Sequence, residues 1–186
     1  MISADSTLSL FSQRLFWNEE QCRRLCEIAE VSNVEDAGVH RDGKLYLDPD
    51  FRKTKRILLN QSLFHEIGTS LLSVKPRIEE YFQLNLHGLL GIQFLQYSAG
   101  DYFHTHADEF EPPSDTSRKI SIILFLNSGF QGGDVVIYKD AGHYRAGNGI
   151  HIVPQEGLLI AFSSYLLHEV EQIQTGKRFS LVSWFY

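Results

Sequence analysis

The order of apolar and polar positions divides the chain into a helix-patterned first half and a strand-patterned second half. Leu8 to Phe16 reads as a short strand or extended entry. From Glu19 to Glu30, Cys22, Leu25, Cys26 and Ile28 recur at helical spacing. Asn18 and Gln21 have the form of a capping pair, and Glu19 and Glu20 suit the positive end of a helix dipole, so a helix of about three turns is predicted. Residues 33 to 57 carry Gly38, Gly43, Pro49 and alternating charges with little apolar pattern, which predicts loops with short edge strands and a candidate lid over 35–57. From Gln61 to Leu84, the positions Leu63, Phe64, Ile67, Leu71, Leu72, Ile78, Tyr81 and Phe82 return at helical intervals. Pro76 interrupts that run, giving two helices or one bent helix.

After Leu90 the texture changes to short β-type runs separated by Gly, Pro, Asp and Asn. They are Leu90 to Tyr97, Lys119 to Asn127, Asp134 to Tyr138, Gly149 to Val153, Leu158 to Phe162, His168 to Gln172 and Arg178 to Tyr186. Strands of that length and spacing predict a sandwich or barrel. No fixed-period repeat or low-complexity segment interrupts the chain. The expected organisation is a single domain over 1–186, with 1–90 as helical support and lid segment and 91–186 as the β-core.

Bulk properties narrow the function classes. The chain has 186 residues, 43% hydrophobic and 22% charged, which fits a globular fold with one substantial core. A formal net charge of -6 argues against a protein that depends on phosphate-backbone attraction, so no nucleic acid is expected as partner. The one basic run, Arg52-Lys53-Thr54-Lys55-Arg56, reads as a solvated face or strand edge. Cys22 and Cys26 lie one turn apart on the predicted helix; they form no disulfide framework and are read as small core residues in a reducing, cytoplasmic protein. Met1 to Thr7 has no basic-then-apolar leader pattern, and no run of about 20 apolar residues marks a membrane span. Nothing in the pattern sets an oligomeric state.

The chemistry concentrates around His104-Thr105-His106-Ala107-Asp108. In an extended segment residues two apart share a face, so His106 and Asp108 offer an imidazole and a carboxylate to one point. His104 has the same parity and stays open as a competing ligand. His168, on a later strand, completes a set of two histidines and one carboxylate, the facial arrangement that suits iron(II) and leaves adjacent positions free. Thr175-Gly176 predicts a hairpin that returns Arg178 to the same interior, with Ser180 and Trp184 on its side of the strand. The arginine fork matches a carboxylate bidentately and stays charged when buried. His40, His65, His87, His143 and His151 show no partner spacing, and Gly132-Gly133 reads as an ordinary turn without chemistry.

The stretch from Tyr97 to Trp184, about half the chain, resembles the 2-oxoglutarate and iron(II)-dependent oxygenases of the prolyl 4-hydroxylase-like group. The resemblance rests on Tyr97-x-x-Gly100-Asp101-x-Phe103-x-x-His106-x-Asp108 and Arg118-Lys119-Ile120-Ser121 running into Phe125-Leu126-Asn127. It continues through Gly132-Gly133-Asp134, Pro154-x-x-Gly157-x-Leu159-x-Ala161-Phe162, His168-x-Val170, Gly176-x-Arg178-x-Ser180 and Trp184. It implies an α+β, mainly β fold, a double-stranded β-helix or jelly roll with N-terminal supporting helices. It implies iron on His106, Asp108 and His168, and 2-oxoglutarate held at its distal carboxylate by Arg178, with Ser180 and Tyr97. Oxygen is the third cosubstrate, ascorbate a candidate reductant, and hydroxylation with release of succinate and carbon dioxide the reaction. Animal collagen-type members carry Lys where Arg178 stands, which points away from collagen-like substrates. Glu109 and Arg118 border the expected substrate loop, and an amino acid, a peptide (prolyl included) or a small molecule remains open as substrate.

Two other classes compete. A zinc hydrolase on His104, His106 and His168 leaves Arg178 and Ser180 without a duty. A non-catalytic jelly-roll binding module leaves the whole ligand set without one.

Overall fold

The computed structural model describes residues 9–41, 44–109, 114 and 116–186, without the side chains of His40 and Arg41. The first half supplies strands β1 (Leu10–Gln13), β2 (Val34–Asp36), β3 (Val39–Arg41), β4 (Lys44–Tyr46), β5 (Arg52–Lys53) and β6 (Lys55–Ile57), and helices α1 (Glu19–Val31), α2 (Gln61–Ser73) and α3 (Lys75–Phe82). The second half supplies β7 (Leu89–Ser98), β8 (Tyr102–His106), β9 (Ile120–Phe125), β10 (Gln131–Gly132), β11 (Val135–Ile137), a short helix α4 (Ala141–Arg145), β12 (Ile150–Ile152), β13 (Leu159–Ser163), β14 (His168–Val170), β15 (Ile173–Thr175) and β16 (Lys177–Phe185).

The fold is mainly β, with antiparallel pairing throughout. A seven-stranded sheet runs β1-β13-β9-β16-β7-β6-β2, and a five-stranded sheet runs β12-β11-β14-β8-β5. Strands from before residue 90 thus extend both sheets, which accounts for the edge-strand signals in 33–57. Period-two alternation sends the inner strands of the large sheet to two destinations. Phe94, Ile122, Leu124, Leu159, Ala161, Phe179 and Leu181 pack against Leu25, Ala29, Ile67, Leu71 and Ile78 of the helices. Leu95, Tyr97, Ile123, Phe125, Ile160 and Phe162 face the small sheet and meet Val135, Ile137, Ile152 and Val170. A sheet covered on both faces has apolar side chains at nearly every position, as in β9.

The helical layer forms where its signals lie. Asn18 accepts from the Gln21 backbone while the Gln21 side chain accepts from the Asn18 backbone, closing the capping box of α1. Pro76 falls in the first turn of α3, where its missing N–H has no helical partner to lose, so the apolar run resolves into two helices. Cys22 and Cys26 are free thiols in this layer, and burial pushes them up to about 11 and about 12 respectively, which keeps them protonated and inert. No helix among the described residues is long and apolar enough to cross a membrane.

Three local expectations are corrected. Gly176 does not close a hairpin between β14 and β16: β14 pairs with β11 and β8, whereas β16 pairs with β7 and β9, so the turn carries the chain from one sheet to the other. Gly132 and Gly133 do not join a paired hairpin either, because β10 pairs with β15 while β11 pairs with β12 and β14. The basic run begins on a strand edge, as one of its two readings had it, but it is not a solvated face throughout, since Arg52 is 8% exposed and turned inward. Its strand, β5, pairs with β8 at Arg52↔Phe103, which brings it to the predicted metal strand.

Candidate active site

His106 ends β8 and His168 begins β14, and these strands pair with His106 opposite His168. The register between them shifts, because Phe103 pairs with Val170 while His106 pairs with His168. The extra residue in β8 is a bulge that breaks the parity between His104 and His106. His104 is left exposed, its ring against Tyr102, while His106 turns into the interior beside His168. Sequence spacing left this choice open, and the bulge decides it.

Asp108 follows just beyond the strand. Its backbone N–H and that of Glu109 donate to the Ser164 carbonyl, which fixes the turn. Asp108 Oδ1 lies 3.7 Å from His106 Nε2, and Asp108 Oδ2 lies 3.6 Å from His168 Nε2. One ligand atom from each of the three side chains falls within 4.8 Å of the others, a spacing that one cation can bridge. His106 Nδ1 donates to the His104 carbonyl at 2.8 Å, and His168 Nδ1 donates to the Leu166 carbonyl at 2.9 Å. A carbonyl only accepts, so in both rings the proton sits on Nδ1 and Nε2 keeps its lone pair toward the shared point. Ser121 Oγ donates to Asp108 Oδ2 at 2.6 Å and contacts Ser164 Oγ at 2.9 Å, orienting the carboxylate.

The electrostatics suit metal ligation. Burial, reinforced by the neighbouring His168, pushes His106 down to about 3, so its imidazole stays neutral and available near neutral pH. Burial alone raises Asp108, but His168, His106 and the Ser121 hydroxyl outweigh it and hold the carboxyl below its usual range. A second triplet, Asp134, His151 and Glu171, lies outside this site, so His151 does have carboxylate neighbours, and His143 likewise pairs with Asp140 at 3.0 Å.

All three triad residues line a cavity of about 530 Å³, at whose walls Tyr97, Arg178, Ser180 and Trp184 also appear. Arg178 is 1% exposed and its guanidinium carbon sits 5.1 Å from the Tyr97 ring centre and 5.0 Å from that of Phe125. Its Nη1 donates to the Gly133 carbonyl at 2.9 Å. Gly133 has φ +73, and a Cβ there would come within 2.2 Å of Ile173, so the glycine allows a close carbonyl that orients the arginine. Burial lowers Arg178 to about 10, so it remains a cation at neutral pH. Arg178 Nε, Ser180 Oγ and Trp184 Nε1 are buried without a hydrogen-bond partner. Unpaired buried donors lining a cavity mark where a polar ligand belongs.

Glu109 and Arg118, expected at the substrate loop, line the same cavity. Arg118 lies over Trp184 at 4.1 Å, and its backbone N–H donates to Glu109. Gly38, Val39, Phe51 and Arg52 bring part of the 35–57 segment to the wall. Sequence reasoning missed Arg52, Ser121, Ser164 and Gly133. Ser121 carried a signal: it is the one polar residue in the run from Ile120 to Leu126.

The sequence model of the 2OG-Fe(II) oxygenase superfamily matches residues 92–186, which hold every residue of the triad and the Arg178 pocket. The chain belongs to that superfamily. It is a 2-oxoglutarate/iron(II) oxygenase, and its cofactor and cosubstrates are Fe(II), 2-oxoglutarate and O2. Across 172 residues this oxygenase is 29% identical to a PKHD-type hydroxylase of Thermosynechococcus vestitus, covering 85% of this chain and 72% of the relative. It is 36% identical over 78 residues to prolyl 3-hydroxylase 2 of Homo sapiens, covering 40% of this chain and 10% of that protein. Its fold matches a Pseudomonas putida prolyl-4-hydroxylase with a TM-score of 0.74 at 21% identity, over 98% of this chain and 94% of the other. A Trichoplax adhaerens prolyl hydroxylase, solved with a hypoxia inducible factor peptide fragment, aligns at TM-score 0.72 and 15% identity over 98% and 86% of the two chains.

Proposed function

We propose that this oxygenase hydroxylates a C–H bond of an amino-acid, peptidyl (prolyl included) or small-molecule substrate, with iron(II) held by His106, Asp108 and His168. Arg178 and Ser180 take the distal carboxylate of 2-oxoglutarate, and the Tyr97 ring walls that end of the pocket. The observation that carries this reading is the presence, in one cavity, of a two-histidine, one-carboxylate set and a buried arginine and serine with unpaired polar atoms. A zinc hydrolase has no use for the second group, and a binding module has none for the first.

When bound, iron(II), 2-oxoglutarate and oxygen supply the oxidative chemistry, in which 2-oxoglutarate loses carbon dioxide to give succinate and a substrate C–H bond gains a hydroxyl. The chain supplies position and environment. The backbone carbonyls of His104 and Leu166 hold both imidazoles in the ligating tautomer. His168 and His106 keep the Asp108 carboxylate ionised, and Ser121 adds to this and aims it. Arg178 is held by Gly133 and flanked by two rings, so its fork needs little reorganisation to meet a carboxylate. The apolar walls, Leu95, Ile123 and Val170 among them, keep bulk water from the reacting centre.

The test is anaerobic reconstitution with iron(II) or zinc(II), followed by oxygen exposure and measurement of succinate. Iron is expected to support slow succinate formation even without substrate, and zinc to bind in its place and silence it. His106→Ala, Asp108→Ala and His168→Ala are expected to lose metal, and His104→Ala to retain it. Folded, iron-loaded protein that binds no 2-oxoglutarate and makes no succinate overturns the reading, as does activity that follows zinc and ignores oxygen.

A further inference from the structure

The cavity holds a second buried arginine that the reaction above does not use. Arg52 lines the wall beside Phe103 and His106, with its guanidinium carbon 4.6 Å from the Phe103 ring centre. Phe103 in turn stacks on His106 with ring centres 3.6 Å apart. The cation is therefore linked to a predicted metal ligand through a single aromatic ring. Its hydrogen bonds go to neutral acceptors, Nη1 to the Gly38 carbonyl at 3.0 Å and Nη2 to Gln93 Oε1 at 3.1 Å, the Tyr97 hydroxyl lies against it, and the one carboxylate that acts on it is that of Asp108, assigned to the metal. Nε has no partner, and among the described residues Arg52 makes no ion pair. Its neighbours in the same basic run behave otherwise: Lys53, Lys55 and Arg56 are more exposed and pair with Asp101, Asp36 and Glu35.

A guanidinium taken out of water without a counter-ion is costly, and a site that keeps one is built for an anion that arrives later. Arg178 shows the same signature at the cosubstrate end. Charge then separates the two roles. Among the charged groups at the cavity, iron(II) with Asp108 and 2-oxoglutarate with Arg178 together cancel, Glu109 and Arg118 cancel each other, and the Arg52 cation is left over. A neutral substrate would bury it uncompensated. The cavity, about 530 Å³, is of small-molecule size.

We propose that Arg52 recognises a carboxylate on the primary substrate, so that the substrate is an acid, either a small amino-acid derivative or a peptide presented by its C-terminal carboxylate. Gln93 and the Gly38 carbonyl are positioning groups that hold the fork, and Phe103 is the plane on which it rests. This rests on the oxygenase reading, both for its charge argument and for the metal and 2-oxoglutarate loaded in its test.

The test measures binding to zinc(II)- and 2-oxoglutarate-loaded protein, which cannot turn over, by calorimetric titration with matched pairs. These are N-acetyl-L-proline, N-acetyl-L-leucine and an acetylated prolyl tripeptide, each as free acid and as amide. At least one acid is expected to bind about tenfold or more tightly than its amide, the scale of a charge-assisted hydrogen-bonded pair. Arg52→Gln or Arg52→Met, the latter keeping an aliphatic stem on Phe103, is expected to bring that acid to within twofold of its amide. Lys53→Gln, which removes an exposed charge from the same run, should leave the preference intact. The small acids against the tripeptide acid identify which source of carboxylate the site takes. The proposal is overturned if no acid outbinds its amide on the unchanged protein, or if the preference survives in either Arg52 variant. It is also overturned if the variants lower 2-oxoglutarate affinity and leave acid preference untouched, for Arg52 would then serve the cosubstrate. Iron-dependent succinate formation by the unchanged protein, measured separately, tests the oxygenase reading, so the two failures are told apart.

Discussion

Strand β16 turns Phe179, Leu181 and Phe185 toward the helices and Arg178, Ser180 and Trp184 toward the space between the sheets. The two faces are equally buried and differ in what they are built to do. On the helix side the inward groups are apolar and packed, apart from Ser183, whose hydroxyl donates to the Gly91 carbonyl, and the thiols of Cys22 and Cys26 are held protonated. On the inter-sheet side the same strands present a guanidinium, a hydroxyl and an indole N–H with unpaired polar atoms. Burial on the first face stabilises the fold by removing apolar area from water. Burial on the second costs stability and creates the low-dielectric place to which we assign one carboxylate of 2-oxoglutarate. One sheet therefore serves as part of the core and as the wall of the proposed active site, because alternation keeps the two roles on opposite sides of the same backbone.

Substitutions on the two faces should separate stability from ligand binding. The largest effect is expected from Phe179→Ala, which removes a ring that is 3% exposed and leaves a cavity between sheet and helices. It should cost about 3–5 kcal/mol in chemical unfolding, while the protein that remains folded still binds 2-oxoglutarate. Next, Arg178→Met should weaken 2-oxoglutarate binding by about 2–5 kcal/mol, roughly 30-fold or more, because the cosubstrate's carboxylate then enters without its partner. Its unfolding midpoint should stay level or rise, since a buried cation with one neutral hydrogen bond is exchanged for an apolar side chain. If Arg178→Met unfolds the protein while Phe179→Ala abolishes ligand binding in folded material, the division between faces is wrong. The smallest effect is expected from Ser121→Ala, one step removed from the metal. Loss of the 2.6 Å bond to Asp108 should lower metal affinity about 10- to 100-fold in a chelator competition, with full occupancy restored at higher metal concentration. Metal affinity unchanged by this substitution would leave Ser121 as core packing only.

Much of this was legible before any coordinates. Asn18 and Gln21 announced the start of α1, and Pro76 announced the break between α2 and α3, because capping and backbone restriction act over a few residues. His106, Asp108, His168 and Arg178, which the structure gathers at one cavity and to which we assign the iron and the dicarboxylate, stood out for a different reason. Ligand chemistry restricts residue type and local parity so tightly that the pattern shows in one dimension. The position of Arg52 was not legible, since within Arg52-Lys53-Thr54-Lys55-Arg56 nothing local distinguishes the residue that points inward from those that face water.

By itself, then, the sequence determined which strands alternate, where the helices begin and which side chains are chemically able to hold iron and a dicarboxylate. Only the tertiary structure decided which histidine of the pair His104 and His106 reaches the site, because the deciding bulge exists relative to a partner strand, β14, far along the chain. It likewise decided that Ser121 touches Asp108, that the Gly133 carbonyl holds Arg178, and that Arg52 enters the cavity opposite Phe103. Each of these depends on register between strands distant in sequence, and register is set by how whole faces bury together. No short stretch of residues contains that information.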